Sequence, residues 1–156
     1  MAVTATRDLL PDLTLVSQGK VRDIYSTSDP NALLFVATDR ISAYDGVPGK
    51  GVILSQLALF WFKRLEAIIP NHLITDNVEQ MPPEVAKYKD ILDGRTMLVK
   101  KAKVVPLEAI VRGYITGSAW SEYKKSGTVH GIRVPEGLVE SQKLPEPLFT
   151  PSTKAE

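Results

Sequence analysis

The chain lacks cysteine, and its 19 basic and 18 acidic residues leave a net charge of only +1. The missing cysteines exclude disulfides and thiolate metal sites. The near-zero charge leaves no field of one sign that would draw the whole surface to nucleic acid or a membrane, so an anionic ligand must be held by a local site. The densest apolar run, LALFWF, is too short to span a bilayer. We therefore expect a cytoplasmic protein that binds neither nucleic acid nor membranes.

Several catalytic signatures are also missing. GVPGKG resembles a phosphate-binding loop, but Tyr44 stands where that pattern requires its first glycine and Gly51 where it requires Ser or Thr. The sequence has no nucleophile elbow, no HExxH, and none of the glycine-rich loop, HRD and DFG motifs of kinases. His72 and His130 are far apart in sequence, which favours structural or surface roles over a shared metal.

The residues that are present predict an antiparallel sheet. TLVSQGKVRDIYSTSDPNALLFVATDR has the apolar runs and turn residues of a β-meander. We expect one sheet from strands near residues 14–38 and 96–116, with a short edge strand in NHLITDN. MPPEVAKYKDIL predicts proline-started helical turns.

Helical spacing of apolar residues predicts a helix from Leu54 to Ile69, capped by Ser55 and ended before Pro70. Its predicted core-facing stripe is Leu54, Leu57, Ala58, Trp61, Leu65 and Ile68. We expect Leu57, Trp61 and Leu65 to pack on the sheet.

The stretch VRGYITGSAW predicts an anion site. A strand ends near Arg112, turns at Gly117 and opens a helix at Ser118, which we expect to be its cap, with Gly127 just past its end. A helix N-terminus and a guanidinium fork both suit phosphate. The alternative is a plain capped helix with Arg112 paired to a surface acid.

Two further stretches contain candidate binding residues. Gly19 precedes Lys20 and Arg22, two cations that could lie over a polyphosphate or on a solvated strand edge. TDRISAYD follows a buried strand, and its polar residues indicate either a binding loop or a salt-bridged turn. These residues are Asp39, Arg40, Ser42 and Asp45.

The last part of the chain, VPEGLVESQKLPEPLFTPSTKAE, is rich in proline and has no convincing period. We expect it to be extended and irregular, and the whole chain to be the front part of a longer protein. The predicted domains are residues 1–105, an antiparallel-sheet lobe, and residues 106–156, the start of a second, substrate-binding lobe.

Five motifs in order resemble the SAICAR synthetase family (phosphoribosylaminoimidazole-succinocarboxamide synthases) of purine biosynthesis. They are GKVRDIY, LLFVATDRISAYD, PLEAIVRGYITGSAW, SGTVHG and FTPSTKAE. The resemblance implies an α+β fold related to ATP-grasp enzymes. It also implies a ligase that joins L-aspartate to carboxyaminoimidazole ribonucleotide (CAIR) with ATP and Mg²⁺, through an acyl phosphate of the CAIR carboxylate. The expected assembly is a monomer or a small homo-oligomer.

The resemblance also assigns residues to the ATP side of the site. Gly19, Lys20 and Arg22 match a hairpin that covers the triphosphate. Lys101 matches the adenine-side hinge, and Glu108 matches a carboxylate near ATP–Mg²⁺.

On the CAIR side, Arg112, Gly117 and Ser118 match the phosphate cradle, and Lys154 matches a residue near the CAIR carboxylate. Arg40, Ser42 and Asp45 match a protein loop that contacts the same nucleotide.

The sequence departs from the family pattern in two places. Asp45 runs directly into Gly46, where the family usually has several more residues before PGKG. The acidic family motifs expected after FTPSTKAE are missing, so we predict no metal site in this segment. A non-catalytic nucleotide-binding module is a second hypothesis. A kinase-like phosphotransferase is a third, and the missing kinase motifs weigh against it.

Overall fold

The computed structural model describes residues 2–41 and 46–153. The chain forms two compact units, Met1–Ala102 and Lys103–Glu156. Each combines helix with antiparallel strands, so the fold is mixed α and β. Within the described residues, no helix is long and apolar enough to cross a membrane.

The first unit is built on an antiparallel sheet. Its five strands are β1 (Leu15–Gln18), β2 (Arg22–Ser26), β3 (Ala32–Ala37), β4 (Leu73–Thr75) and β5 (Thr96–Lys100). Their order across the sheet is β1-β2-β3-β5-β4, with every neighbouring pair antiparallel. The predicted meander and the predicted edge strand are therefore confirmed.

One face of this sheet carries the core of the first unit. Ala32, Leu34 and Val36 of β3 are buried, as are Tyr25 of β2 and Leu98 of β5. They pack against apolar side chains from outside the sheet, namely Leu10, Leu13, Val78, Met81, Val85 and Leu92. Full burial of each large apolar side chain contributes roughly 1.5–3 kcal/mol.

Three helices belong to the first unit as described. They are α1 (Lys50–Leu65), α2 (Pro83–Ala86) and α3 (Lys89–Leu92), with a 3-10 turn at Val78–Gln80. Pro83 opens α2, as the sequence predicted. Helix α1 begins four positions before the predicted start, inside GVPGKG.

The predicted cap and the predicted core stripe of α1 are both wrong. Ser55 lies inside the helix and is buried. Leu57, Trp61 and Leu65 are exposed, by 52%, 54% and 38% of their surface. The buried positions are Gly51 and Ser55, so the face that meets the sheet is rotated away from the large apolar side chains.

Close packing at Gly51 explains this rotation. A Cβ atom on Gly51 would lie 2.5 Å from the carbonyl oxygen of Ala37, at the end of β3. The Gly51 N–H also donates to the carboxylate of Asp39, at 2.8 Å, which fixes the first turn of α1 beside that strand. Only small residues fit between the helix and the sheet here.

We predict that Gly51→Ala lowers the free energy of unfolding by about 1–3 kcal/mol, because the added methyl group must displace α1. Urea denaturation of the chain measures the loss. Gly113→Ala is the matched control, since a Cβ atom there meets no atom within 4 Å among the described residues. Equal stability of the two variants would contradict the close packing.

The second unit consists of one described helix and three antiparallel strand pairs. The helix is α4 (Gly117–Ser126). The pairs are β6 (Leu107–Glu108) with β11 (Ser152–Thr153), β7 (Val111–Tyr114) with β10 (Lys143–Phe149), and β8 (Thr128–Val129) with β9 (Ile132–Arg133). Its core consists of Ile115, Ala119, Val129, Leu138 and Leu144.

This pairing corrects two predictions. β6 and β7 pair with the last part of the chain instead of extending the five-stranded sheet. That last part therefore forms strands, although its prolines predicted irregular structure. Pro145 and Pro147 fit in β10 because the register with β7 shifts between Lys143 and Leu148, where the regular ladder is interrupted.

Helix α4 ends as predicted but begins differently. Gly127 follows it in the left-handed region, with φ of 69°. Thr116, in extended conformation, occupies the N-cap position that the sequence analysis assigned to Ser118. Ser118 is the second residue of the helix, so its hydroxyl is available for a side-chain contact.

Candidate functional site

The first candidate site is the hairpin between β1 and β2. Gly19 begins its turn, and the Gly19 N–H donates to the Arg22 carbonyl at 2.7 Å. Lys20 is exposed, and so is Arg22, whose guanidinium lies over the Phe35 ring at 5.0 Å from the centroid. The turn thus presents a lysine at its tip, while Arg22 is partly engaged by the sheet.

Arg40, three residues after β3, contacts this hairpin through its guanidinium. Its guanidinium forms an ion pair with Asp23 of β2, with 2.6 Å between Nη2 and Oδ1, and the carboxylate side chain is 1% exposed. The same guanidinium donates to the carbonyl of Gly19 at 2.9 Å and to that of Lys20 at 3.3 Å. The structure therefore brings Arg40 together with the residues predicted to cover a triphosphate.

A buried polar network continues from this ion pair. The Thr6 hydroxyl donates to Asp23 and lies 2.6 Å from the hydroxyl of Tyr25. All three residues are completely buried. Burial raises the pKa of Tyr25 above its ordinary value, so its hydroxyl stays protonated and can donate to Thr6.

Hydrogen bonds to the Asp39 carboxylate tie the segment after β3 to the start of α1. Its carboxylate accepts from the Val3 and Gly51 N–H groups, both at 2.8 Å, and from Arg95 at 3.2 Å. Burial alone would raise the pKa of Asp39, but these donors outweigh it and hold the pKa below its ordinary value. Their contribution to stability is present above about pH 4 and is lost as the pH falls through the lowered pKa.

Asp39 and Arg40 therefore have the contacts of the salt-bridged turn that was the alternative interpretation of TDRISAYD. Ser42 and Asp45, predicted in the same loop, lie outside the described residues. Lys154 lies outside them as well.

Two more predicted residues lie at exposed positions. The Lys101 N–H donates to the Asn31 carbonyl at 2.7 Å, just beyond β5. Glu108, in β6, pairs with Ser152 of β11. Both side chains are solvent-exposed, so each is free to meet a ligand from solution.

The second candidate site lies where β7 leads into α4. Nη2 of Arg112 lies 3.4 Å from the Ser118 hydroxyl, and Nε donates to the Thr150 hydroxyl at 3.1 Å. Gly117 opens the helix with φ of 59°, a conformation that glycine adopts without strain. The structure thus brings Arg112, Gly117 and Ser118 together, as the sequence predicted.

Sequence reasoning missed Thr150. This residue is completely buried, and its N–H donates to the Ile110 carbonyl at 2.8 Å. Its hydroxyl accepts from Nε of Arg112, while Nη2 of the same guanidinium reaches the Ser118 hydroxyl. A threonine in the FTPSTKAE motif was the available signal, but its partner is 38 residues away in sequence.

These contacts bring a guanidinium and a serine hydroxyl together at the start of α4. Guanidinium groups and helix N-termini both suit oxyanions, so this is a candidate anion site. Among residues 2–41 and 46–153, no three histidine, aspartate or glutamate side chains gather as a metal site.

Comparison with known proteins gives a consistent result. A sequence model of the family described as SAICAR synthetase matches residues 15–156. The phosphoribosylaminoimidazole-succinocarboxamide synthase of Geotalea uraniireducens is 57% identical over 151 residues, which are 94% of this chain and 50% of that protein. The enzyme of the same name from Pichia angusta is 59% identical, over 100% of this chain and 54% of that protein. The chain therefore spans about half the length of these relatives.

Solved structures of similar proteins agree. The SAICAR synthase from Saccharomyces cerevisiae complexed with SAICAR is 54% identical, with a TM-score of 0.82 over 92% of this chain and 52% of that one. A type-2 SAICAR synthetase in complex with ADP is 26% identical, with a TM-score of 0.63 over 89% of this chain and 50% of that one. On the family match and these identities, the chain belongs to the SAICAR synthetase family.

Proposed function

We propose that the protein to which this chain belongs is an ATP-dependent ligase that joins L-aspartate to CAIR in purine biosynthesis. The observation that carries this proposal is the likeness to the yeast SAICAR synthase complexed with SAICAR, at 54% identity. The related synthetase in complex with ADP supports nucleotide use. The products would be SAICAR, ADP and phosphate.

The proposed reaction has two steps. An oxygen of the CAIR carboxylate attacks the γ-phosphorus of ATP, which forms an acyl phosphate and releases ADP. The amine of aspartate then attacks the acyl carbon, loses a proton and expels phosphate, so that an amide bond remains. Binding of both nucleotides in fixed geometry is the main contribution expected of this chain.

We assign the CAIR phosphate to the cradle of Arg112, Gly117 and Ser118. The guanidinium fork, oriented by Thr150 at 3.1 Å, and the N-terminus of α4 suit a monoester dianion better than a carboxylate. Ser42, Asp45 and Lys154 are proposed on the CAIR side from the family resemblance alone.

We assign ATP to residues of the first unit, and Glu108 is proposed for ATP from the family resemblance alone. The Gly19–Lys20 turn and Arg22 would cover the triphosphate, and the backbone near Lys101 would meet the adenine. Mg²⁺ is expected to accompany ATP, and Glu108 is the proposed carboxylate on that side. Among residues 2–41 and 46–153 no three histidine, aspartate or glutamate side chains form a metal-ligand cluster, so no reaction step is assigned to the metal.

The family resemblance further implies a relation to ATP-grasp enzymes, an ATP-covering lobe at residues 1–105 and a substrate-binding lobe from residue 106. A cytoplasmic location, expected from the composition, and a monomer or small homo-oligomer complete the proposal.

The test is an assay of the full-length protein with ATP, Mg²⁺, L-aspartate and CAIR. We expect SAICAR and ADP to form in equal amounts, and SAICAR to be absent when aspartate is omitted. ADP and CAIR binding without SAICAR formation would favour the non-catalytic nucleotide-binding module. ATP-dependent phosphorylation of an acceptor other than CAIR would favour a phosphotransferase.

We predict that Lys20→Ala in the full-length protein raises the Kd for ATP about tenfold, which corresponds to about 1.4 kcal/mol, by removing one cation from the triphosphate. The Kd for CAIR should stay within about twofold. Isothermal calorimetry with each ligand measures both. Lys63→Ala, an exposed lysine of α1 outside the hairpin, is the control, and equal ATP affinity in all three proteins would remove the assignment.

A further inference from the structure

Every N–H group of the Arg40 guanidinium has an acceptor. Nε donates to the Lys20 carbonyl at 3.3 Å. Nη1 donates to the Thr4 carbonyl at 2.7 Å and to Asp23 at 3.3 Å. Nη2 donates to the Gly19 carbonyl at 2.9 Å and to Asp23 at 2.6 Å. Since a guanidinium has five N–H donors, binding a nucleotide would require Arg40 to release part of this set.

The anchor for Arg40 is fixed in the core. Asp23 is completely buried and receives a further hydrogen bond from Thr6, which is also buried. Paired with this carboxylate, Arg40 adds little net charge to its surroundings. Arg40 therefore acts on the hairpin by fixing the positions of its carbonyl groups, and not by adding positive charge.

Two of the five acceptors are consecutive carbonyls of the turn, those of Gly19 and Lys20. In a trans peptide the N–H points opposite to the carbonyl. The carbonyls of Gly19 and Lys20 belong to the same peptide planes as the N–H groups of Lys20 and Val21. Because both carbonyls point toward Arg40, these two N–H groups point away from it. Successive N–H groups on one side of a turn form an anion-binding concavity.

We infer that Arg40 is a positioning residue for the ATP side of the site and not a ligand of the CAIR nucleotide. It holds the Gly19–Lys20 turn so that the N–H groups of Lys20 and Val21 and the Lys20 ammonium face one polyphosphate. This inference rests on the proposed function of the hairpin in binding ATP. It replaces the sequence-based assignment of Arg40 to CAIR.

The decisive variant is Arg40→Lys, which keeps the charge opposite Asp23 but loses the fork that reaches both turn carbonyls. We expect the KM for ATP of the full-length protein to rise about tenfold, with kcat and the KM for CAIR within about twofold. The matched control is Arg95→Lys, which alters the other buried ion pair, between Arg95 and Asp39, and does not involve the turn. Its KM for ATP should stay within about twofold.

A second measurement does not depend on activity. Amide hydrogen exchange of Gly19, whose N–H closes the turn onto the Arg22 carbonyl at 2.7 Å, should accelerate at least tenfold in Arg40→Lys and stay unchanged in Arg95→Lys. If Arg40→Lys does not fold, the double variant Asp23→Leu with Arg40→Met removes both charges together and should show the same faster exchange and the same rise in KM for ATP.

A rise in the KM for CAIR with an unchanged KM for ATP would overturn the inference and return Arg40 to the CAIR side. So would unchanged exchange at Gly19, or an equal rise in KM for ATP in Arg95→Lys. A parent protein that neither binds ADP nor makes SAICAR would instead refute the proposed function, while the exchange result would still decide whether Arg40 orders the turn.

Discussion

Replacing Asp23 by alanine is expected to lower the free energy of unfolding of the first unit by about 3–5 kcal/mol. The substitution leaves the Arg40 guanidinium, whose side chain is only 18% exposed, without its counter-charge. It also removes the acceptor of the buried Thr6 hydroxyl. Urea denaturation, followed by native-state hydrogen exchange of the β2 and β3 amides, measures the loss in this unit.

Two controls separate this effect from a general loss of charge. Asp12→Ala breaks the ion pair with Lys87, in which both side chains are about half exposed, and should change stability little. Adding Arg40→Met to Asp23→Ala should recover part of the lost stability, because no unpaired charge then remains buried. A loss in Asp23→Ala no larger than in Asp12→Ala would contradict the buried network.

The strands of the first unit could be predicted from the sequence because β3 is a short apolar run and the turns between strands carry Gly, Pro, Asp and Asn. The orientation of α1 could not, because apolar periodicity identifies the most hydrophobic stripe of a helix. Here the helix approaches the sheet so closely at Gly51 that only Gly51 and Ser55 are buried, and Leu57 and Trp61 remain outside.

The C-terminal strands were missed for a different reason. Strand propensity penalises proline, and β10 contains Pro145 and Pro147. The irregular register with β7 accommodates both prolines, and that depends on a partner strand 29 to 38 residues earlier in the chain, from Lys143↔Tyr114 to Phe149↔Val111. A local pattern does not contain this information.

The candidate sites were predicted unevenly. Arg112 and Ser118 are six residues apart, so a strand–turn–helix pattern sufficed to bring them together. Arg40 and Asp23 are 17 residues apart on different segments, and only the pairing of β2 with β3 shows that they meet. Thr150 is 38 residues from Arg112, so its contact depends on the same β7–β10 pairing.

Arg112→Ala in the full-length protein is expected to weaken CAIR binding ten- to a hundredfold. Loss of a charge-assisted hydrogen bond to a phosphate costs about 1.5–3 kcal/mol, which corresponds to that range. ATP binding should stay within about twofold, since Arg112 is proposed to contact the monophosphate alone. Calorimetric titration with CAIR and, separately, with ATP measures the two affinities.

Graded variants at the same site test the geometry. Arg112→Lys keeps the charge but loses the planar fork, so it should recover only part of the lost CAIR affinity. Ser118→Ala should be milder, because the N–H groups of α4 remain. Thr150→Val keeps the shape of the buried side chain but removes the hydroxyl that holds Nε, and should weaken CAIR binding less than Arg112→Ala, with Thr150→Ser close to the parent. If Arg112→Ala leaves CAIR binding intact and abolishes ATP binding, the assignments of the two nucleotides must be exchanged.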